Sequence, residues 1–407
     1  MTRAQANPLV TRLSPPPIPS VHAWGKAYDG RLGPLIDLSQ AVPGYPTHPE
    51  MLRLLGQAAA SPAMTGYGPI EGEPVLRDAY AQHVSAVYGA EINADHIHIT
   101  AGCNQAFMST AIALTASGGS VALTNPYYFN HETTLSMLGI GHSLVQCDAV
   151  NGFLPDLNSA QAALATGARA LVVVTPNNPT GAVYPKDLLY KLFKLCQEHG
   201  AWLIIDETYR DFLPEDFGRP HALLSEPGWE ETLVLLYSFS KSFCIPGHRL
   251  GAITAGPGLV AEIAKVMDNM QICAPRAPQI AVATALPLLA DWRAGNRQEI
   301  ARRADALRQV FADLPQWEIG AIGAYFAFVR HPFAGQSSAA VAERLARQAG
   351  VVCIPGSYFG EGQDRYLRLA FANADVASIA LLSDRLRWAR LPLAGNSRQT
   401  GTGRPDG

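Results

Sequence analysis

Lys241 is the residue on which chemistry can be built. It stands in LVLLYSFSKSFCIPGHRLG (233–251), where an apolar run gives way to Ser238, Phe239, Ser240, Lys241 and Ser242. Arg249 follows a short loop later, just before a second apolar run. An amine beside hydroxyls, with a guanidinium close in sequence, suits a site that holds an anionic group and uses the amine as a nucleophile. The ordinary fate of a single lysine is a solvated loop, because lysines are mostly exposed. A reactive role for Lys241 therefore requires other elements to bring further groups to the same place.

Those elements alternate between strand and helix. HIHIT (96–100) reads as a strand that turns through Gly102, Cys103 and Asn104 into the helix QAFMSTAIAL. A strand, a glycine turn and a helix N-terminus form an anion site, since free N–H groups and the helix dipole favour negative charge there. SVALTN (120–125) is a strand followed by NPYYFNH, which sets Tyr127 and Tyr128 at its end. ARALVVVTP (168–176) leads to Asn178 in an Asn-Pro turn. AWLIID (201–206) closes on Asp206, a carboxylate that needs a cationic partner to stay charged at the end of an apolar strand. Pro74 suits the first turn of a helix over VLRDAYAQHVSAVYG, and Gly200 suits the stop of a helix over PKDLLYKLFKLCQEHG.

This order predicts an α/β fold: a large domain with a mostly parallel mixed sheet flanked by helices, plus a smaller α+β domain. Ligands of such sheets sit at the carboxyl ends of the strands, where the residues above fall. The expected division is an N-terminal arm (1–35), a large cofactor-binding domain (60–285), a small domain (36–59 and 286–390) and a disordered tail (391–407). In the arm, Pro15 to Pro17 and Pro19 are expected to break helix formation. A short amphipathic piece around Val21 to Tyr28 is expected to dock on the body or on a second subunit. WEIGAIGAYFAFVR (317–330) reads as a turn and a strand.

Composition narrows the class. The chain has 407 residues, 48% of them hydrophobic, enough for a large core in two or three domains. A net charge of −3, mixed along the chain, gives no nucleic-acid face. The six cysteines form no CxxC pair, which argues against a metal site or disulfide framework and suits a reducing cytoplasm. No apolar leader and no run of about 18 apolar residues is present, so neither a signal peptide nor a membrane span is expected.

Taken together the residues suit a flat, phosphorylated heteroaromatic aldehyde. At this point the chain resembles the fold-type I, class I/II aminotransferases dependent on pyridoxal 5'-phosphate. The resemblance runs from about Ile36 to Arg387 and rests on NNPTG (177–181), DETY (206–209), SFSK (238–241) with Arg249, and YLRLAFA (366–372). It implies that Lys241 forms the Schiff base and shuttles the proton, and that Asp206 pairs with the ring nitrogen, supported by His131. It implies that Asn178 and Tyr209 hold the ring oxygen and Tyr128 covers the ring. Gly102, Cys103, Asn104, Ser238, Ser240 and Arg249 take the phosphate. Tyr67, in GYGPIEGEPVLR, resembles a tyrosine that reaches the phosphate of a neighbouring subunit in a homodimer with shared sites. Arg368 resembles the clamp for the substrate α-carboxylate, with Asn178 beside it.

The activity implied is ping-pong transfer of an amino group between an α-amino acid and a 2-oxo acid. Two departures stand out. Ala41 occupies a turn where the family often has a glycine that lets the substrate carboxylate approach the backbone. Pro246 and His248 after the lysine have no evident reason. Arg276, in CAPRAPQ, lies near where some members bind a distal carboxylate, and reads more simply as a surface or core-edge arginine.

Other readings are weaker. SFSK fits S-x-x-K, but the S-D-N and K-T-G partners of that serine-nucleophile class are missing. A ligand-sensing regulator of this fold would carry a DNA-binding module, and the Pro-rich arm has no helix-turn-helix pattern. The serious rival is a pyridoxal-phosphate lyase or decarboxylase, which uses the same cofactor residues.

Overall fold

The computed structural model describes residues 4–388, so the expected tail 391–407 lies outside the described residues. Strands are numbered along the chain: β1 Ile36–Asp37, β2 Ile97–Thr100, β3 Ser120–Asn125, β4 Gly141–Gln146, β5 Ala170–Val174, β6 Trp202–Asp206 and β7 Leu233–Ser238. They continue with β8 Gly251–Thr254, β9 Glu318–Gly323, β10 Phe326–Arg330, β11 Val351–Val352, β12 Ile354–Pro355 and β13 Tyr366–Leu369.

Seven strands form one sheet in the order β2-β8-β7-β6-β5-β3-β4. β8 pairs antiparallel with both neighbours, and the other pairings are parallel. β5 and β7 are buried along their whole length, as a sheet covered on both faces requires. One face carries the core of Phe107, Leu135, Ile204 and Ile263, and the other that of Tyr80, Leu192, Ile205 and Phe239. The chain is thus an α/β protein with a mixed central sheet flanked by helices.

A second sheet, all antiparallel, has the order β12-β13-β10-β9. Two strands stand where a turn and a strand were expected over 317–330. Ala324 takes φ +44° between them, a left-handed residue that lets the chain reverse so β9 can pair with β10. β1 pairs parallel with β11. Residues 36–59 divide between the cores: Ile36 and Leu38 pack with Phe326 and Leu367, whereas Met51 and Leu55 of the helix Pro49–Ala59 join the large-sheet core.

The arm corrects an expectation. Its prolines do not prevent a helix; one runs from Pro17 to Gly25. Pro17 and Pro19 sit in its first turn, where N–H groups have no intrahelical acceptor and a missing N–H costs nothing. Val21 is fully buried, and a Cβ on Gly25 would lie 2.8 Å from Val352, so the helix docks on its own chain.

Candidate active site

The carboxyl ends of β5, β6 and β7 open into a cavity of about 970 Å³. Asp206, Ser238 and Lys241 line it from the sheet, Cys103 and Asn104 from a helix start, Arg368 from the second sheet.

Lys241 reaches the cavity because β7 ends in a single helical turn, Phe239–Ser242, whose first N–H groups need a cap. Ser238 supplies it, its Oγ accepting from Ser240 N at 3.4 Å. Lys241 Nζ donates to the carbonyl of Ala41. Burial, then the positive charges of Arg249 and Arg368, hold the ammonium down at about 8. A neutral amine is therefore far more accessible here than on an ordinary lysine.

Asp206 is 4% exposed and ends β6. Its Oδ2 lies 3.3 Å from His131 Nε2, and its Oδ1 accepts from Thr208 N at 3.0 Å. Burial raises its pKa, but the hydrogen bond and charge of His131, with Thr208, outweigh that and keep the carboxyl below its usual range. His131 is on the helix Phe129–Leu138, whose start Tyr128 occupies. Tyr128 meets the His131 ring edge-on at 5.2 Å, and its hydroxyl accepts from Asn130 Nδ2 at 2.7 Å. That helix was not anticipated in NPYYFNH. Burial, then the charge of Asp206, holds the Cys103 thiol well above its usual value, so it stays protonated.

At the helix start Cys103–Leu114, Gly102 has φ +92° and leaves room for Arg249. A Cβ there would stand 2.3 Å from Arg249 Nη2. Arg249 itself is left-handed at φ +51° and donates to the carbonyls of Pro246 at 3.0 Å and Ala101 at 3.3 Å. Pro246 thereby has a reason: it opens the turn whose carbonyl orients Arg249. His248 acquires none. Ser240 Oγ is buried without a partner.

The NNPTG turn is a scaffold. Asn177 Oδ1 accepts from Thr180 N and Oγ1 at 3.0 and 2.8 Å, and its amide donates to Val174 O at 3.2 Å. Gly181, at φ +80°, abuts the second sheet so closely that a Cβ would lie 2.3 Å from Phe326 O. Asn178 is thereby fixed with Oδ1 accepting from Arg368 Nη1 at 3.1 Å. Arg368, on β13 and 2% exposed, also donates from Nη2 to Ser39 O, while its Nε has no partner. Burial lowers its pKa to about 10, so it remains a cation at neutral pH. Tyr209 lines the cavity with its ring centroid 5.0 Å from that of Phe326. Burial, then the nearby Tyr128, pushes its phenol well above the usual value.

Two sequence candidates lie elsewhere. Tyr67 is 80% exposed and does not line the cavity of its own chain. Arg276 is tied to Glu73 and to the carbonyls of Ala63 and Gly66. The arm, expected from sequence to help form the side-chain pocket, enters the cavity wall through Pro15 and Ile18, whereas Thr208, Glu132 and Tyr358, also in the wall, were not anticipated. Only Thr208, inside DETY, had a local signal.

Residues 33–386 match the family described as aminotransferase class I and II. An aromatic aminotransferase of Arabidopsis thaliana is 28% identical over 359 residues, 86% of this chain and 89% of that protein. An aspartate/prephenate aminotransferase of Thermus thermophilus is 29% identical over 348 residues, 84% of this chain and 87% of that protein. A solved structure of a Thermus thermophilus aspartate aminotransferase double mutant superposes with a TM-score of 0.87 at 26% identity, covering 95% of this chain and all of that one.

Proposed function

Since the chain belongs to the aminotransferase class I and II family and is an aminotransferase, we propose that it binds pyridoxal 5'-phosphate on Lys241 and exchanges an amino group between an α-amino acid and a 2-oxo acid. The observation that carries this reading is the pairing, in one cavity, of a desolvated lysine with a buried arginine whose Nε is unsatisfied. A buried guanidinium whose only hydrogen-bond acceptors are a carbonyl and an amide oxygen is suited to a carboxylate.

The residues fit the cofactor. Gly102 leaves the space beside Arg249 that a Cβ would fill, and Ser240 Oγ is a buried hydroxyl with bonding capacity to spare. Asp206 is an ionised carboxylate, matched to a protonated ring nitrogen. When bound, pyridoxal phosphate supplies an aldehyde that condenses with amines and a cationic ring that draws electrons from the substrate α-carbon.

Arg249, Ser238, Ser240 and the N–H groups of Cys103 and Asn104 hold the phosphate. Asp206, backed by His131, holds the proton on the ring nitrogen. Asn178 and Tyr209 fix the ring oxygen, and Tyr128 covers one face. Arg368 grips the α-carboxylate. Lys241 Nζ, whose neutral form its surroundings make more accessible than on an ordinary lysine, takes the proton from the substrate α-carbon and holds it for return. The working unit is a homodimer in the cytoplasm, in which Tyr67 reaches the partner's phosphate site. Its 80% exposure and the six free cysteines support this.

The test is transfer of ¹⁵N from a labelled amino acid to an unlabelled 2-oxo acid by protein loaded with cofactor. Label in the second product supports the reading; release of ammonia without transfer supports a lyase and overturns it.

A further inference from the structure

The cavity wall carries a charge that the proposed chemistry leaves unused. Glu132 lies in the first turn of the helix Phe129–Leu138 and lines the cavity. Its carboxylate accepts from Ser136 Oγ at 2.6 Å, so its partner is a hydroxyl rather than a cation. Its field reaches neighbouring groups: after burial, the charge of Glu132 is the main reason the Tyr127 phenol is raised.

Three cations line the cavity among the described residues: Lys241, Arg249 and Arg368. Each already has a task in the reading above, as amine, phosphate anchor and α-carboxylate clamp. Arg276, the one sequence candidate for a second carboxylate, has its Nε on Glu73 and its Nη1 on the carbonyls of Ala63 and Gly66, at 2.7 and 3.1 Å. Its charge is neutralised where it stands. On this chain's own wall, a substrate with a side-chain carboxylate would therefore meet Glu132 and no cation left free by the roles above, in a partly desolvated cavity.

We infer that Glu132 is a specificity-determining residue and that the enzyme takes amino acids whose side chains carry no carboxylate. This rests on the cavity being the amino-acid site proposed above. Both half-reactions use the same cavity, so the acceptor is a monocarboxylic 2-oxo acid as well. Discrimination of this kind works by repelling the wrong partner, and the remaining wall is free to accept polar or apolar groups. The arm's Pro15 and Ile18, with Tyr358, provide apolar contact in the same wall.

Isosteric pairs isolate the charge. With pyruvate as acceptor, kcat/KM is measured for asparagine against aspartate and glutamine against glutamate. The neutral member is expected to exceed the acidic one by about tenfold or more. Glu132→Gln is expected to shrink that ratio, and Glu132→Lys to reverse it. A second readout needs no turnover: the loaded protein should bind succinamate more tightly than succinate, by the same factor. Acidic members used equally well or better, or a ratio unmoved by both substitutions, overturns the inference while leaving amino transfer intact. Absence of transfer from every amino acid, neutral or acidic, overturns the functional reading and this inference with it.

Discussion

Asp206 and Glu207 are neighbours in sequence, both carboxylates, and 4% and 2% exposed. Their surroundings differ in one respect. Glu207 is closed off on every side: Tyr88 donates its hydroxyl, His221 Nε2 lies at 3.2 Å and Arg210 Nη1 at 3.7 Å. Arg210 in turn lies over the rings of Tyr88 and Tyr237, at 5.5 and 4.3 Å from their centroids. Asp206 has His131 and Thr208 on one side and the cavity on the other. A buried charge saturated by its own chain holds structure, whereas one left open toward a cavity is ready for a ligand. Because successive side chains leave a strand end on opposite sides, one strand serves both purposes.

The contrast is broken most severely if the open set proves dispensable. Asp206→Asn should lower kcat by roughly 10²- to 10³-fold, the loss typical of one electrostatic group at a reacting centre. The variant should keep its fold by circular dichroism. An unchanged kcat would place Asp206 with Glu207.

Next in size is the reactivity of Lys241 in cofactor-free protein. Its ammonium is held at about 8, below the ordinary 10.5, so the neutral amine appears at lower pH than on an ordinary lysine and labelling should rise through pH 8. At pH 7 the neutral fraction should exceed that of an ordinary lysine by roughly 300-fold. Trinitrophenylation followed by peptide mapping across pH measures it. A midpoint above 10 would mean that burial does not act on this amine.

Arg368→Lys should raise KM for the amino acid by about 10- to 100-fold, since an ammonium cannot replace a two-pronged guanidinium. A larger fall in kcat with KM unchanged would assign Arg368 another role. The smallest catalytic effect belongs to the sealed side. Glu207→Ala should cost about 3–5 kcal/mol of stability by removing the carboxylate that pairs with buried Arg210 and accepts from Tyr88, read as a fall in Tm. The folded fraction should keep kcat within about tenfold. Intact stability with lost activity would erase the distinction.

Much of this contrast was legible before folding. The apolar strands end in residues that do not belong in a core, and a parallel sheet gathers those ends at one edge. Asp206, Ser238 and Lys241 could be found that way. Local backbone rules also carried: Pro74 opens its helix at Pro74–Tyr88, and Gly200 is left-handed just past the helix that stops at Glu198. What escaped depends on long-range packing. Glu132 carries no local signal, and only the packing of its helix sets it against the cavity. The contact of Arg276 with Glu73 spans 203 positions, and no local pattern announces it. The arm misled because a proline-rich stretch suggests no helix, whereas position within the first turn decides whether proline is tolerated.

One amine among the chain's lysines, Lys241 Nζ, is expected to carry the cofactor. Borohydride reduction of the loaded protein, followed by peptide mass mapping, tests it directly. One covalent adduct is expected, on the peptide containing Lys241, and none in Lys241→Ala. An adduct on a different lysine, or no adduct in a protein that still transfers amino groups, would contradict it.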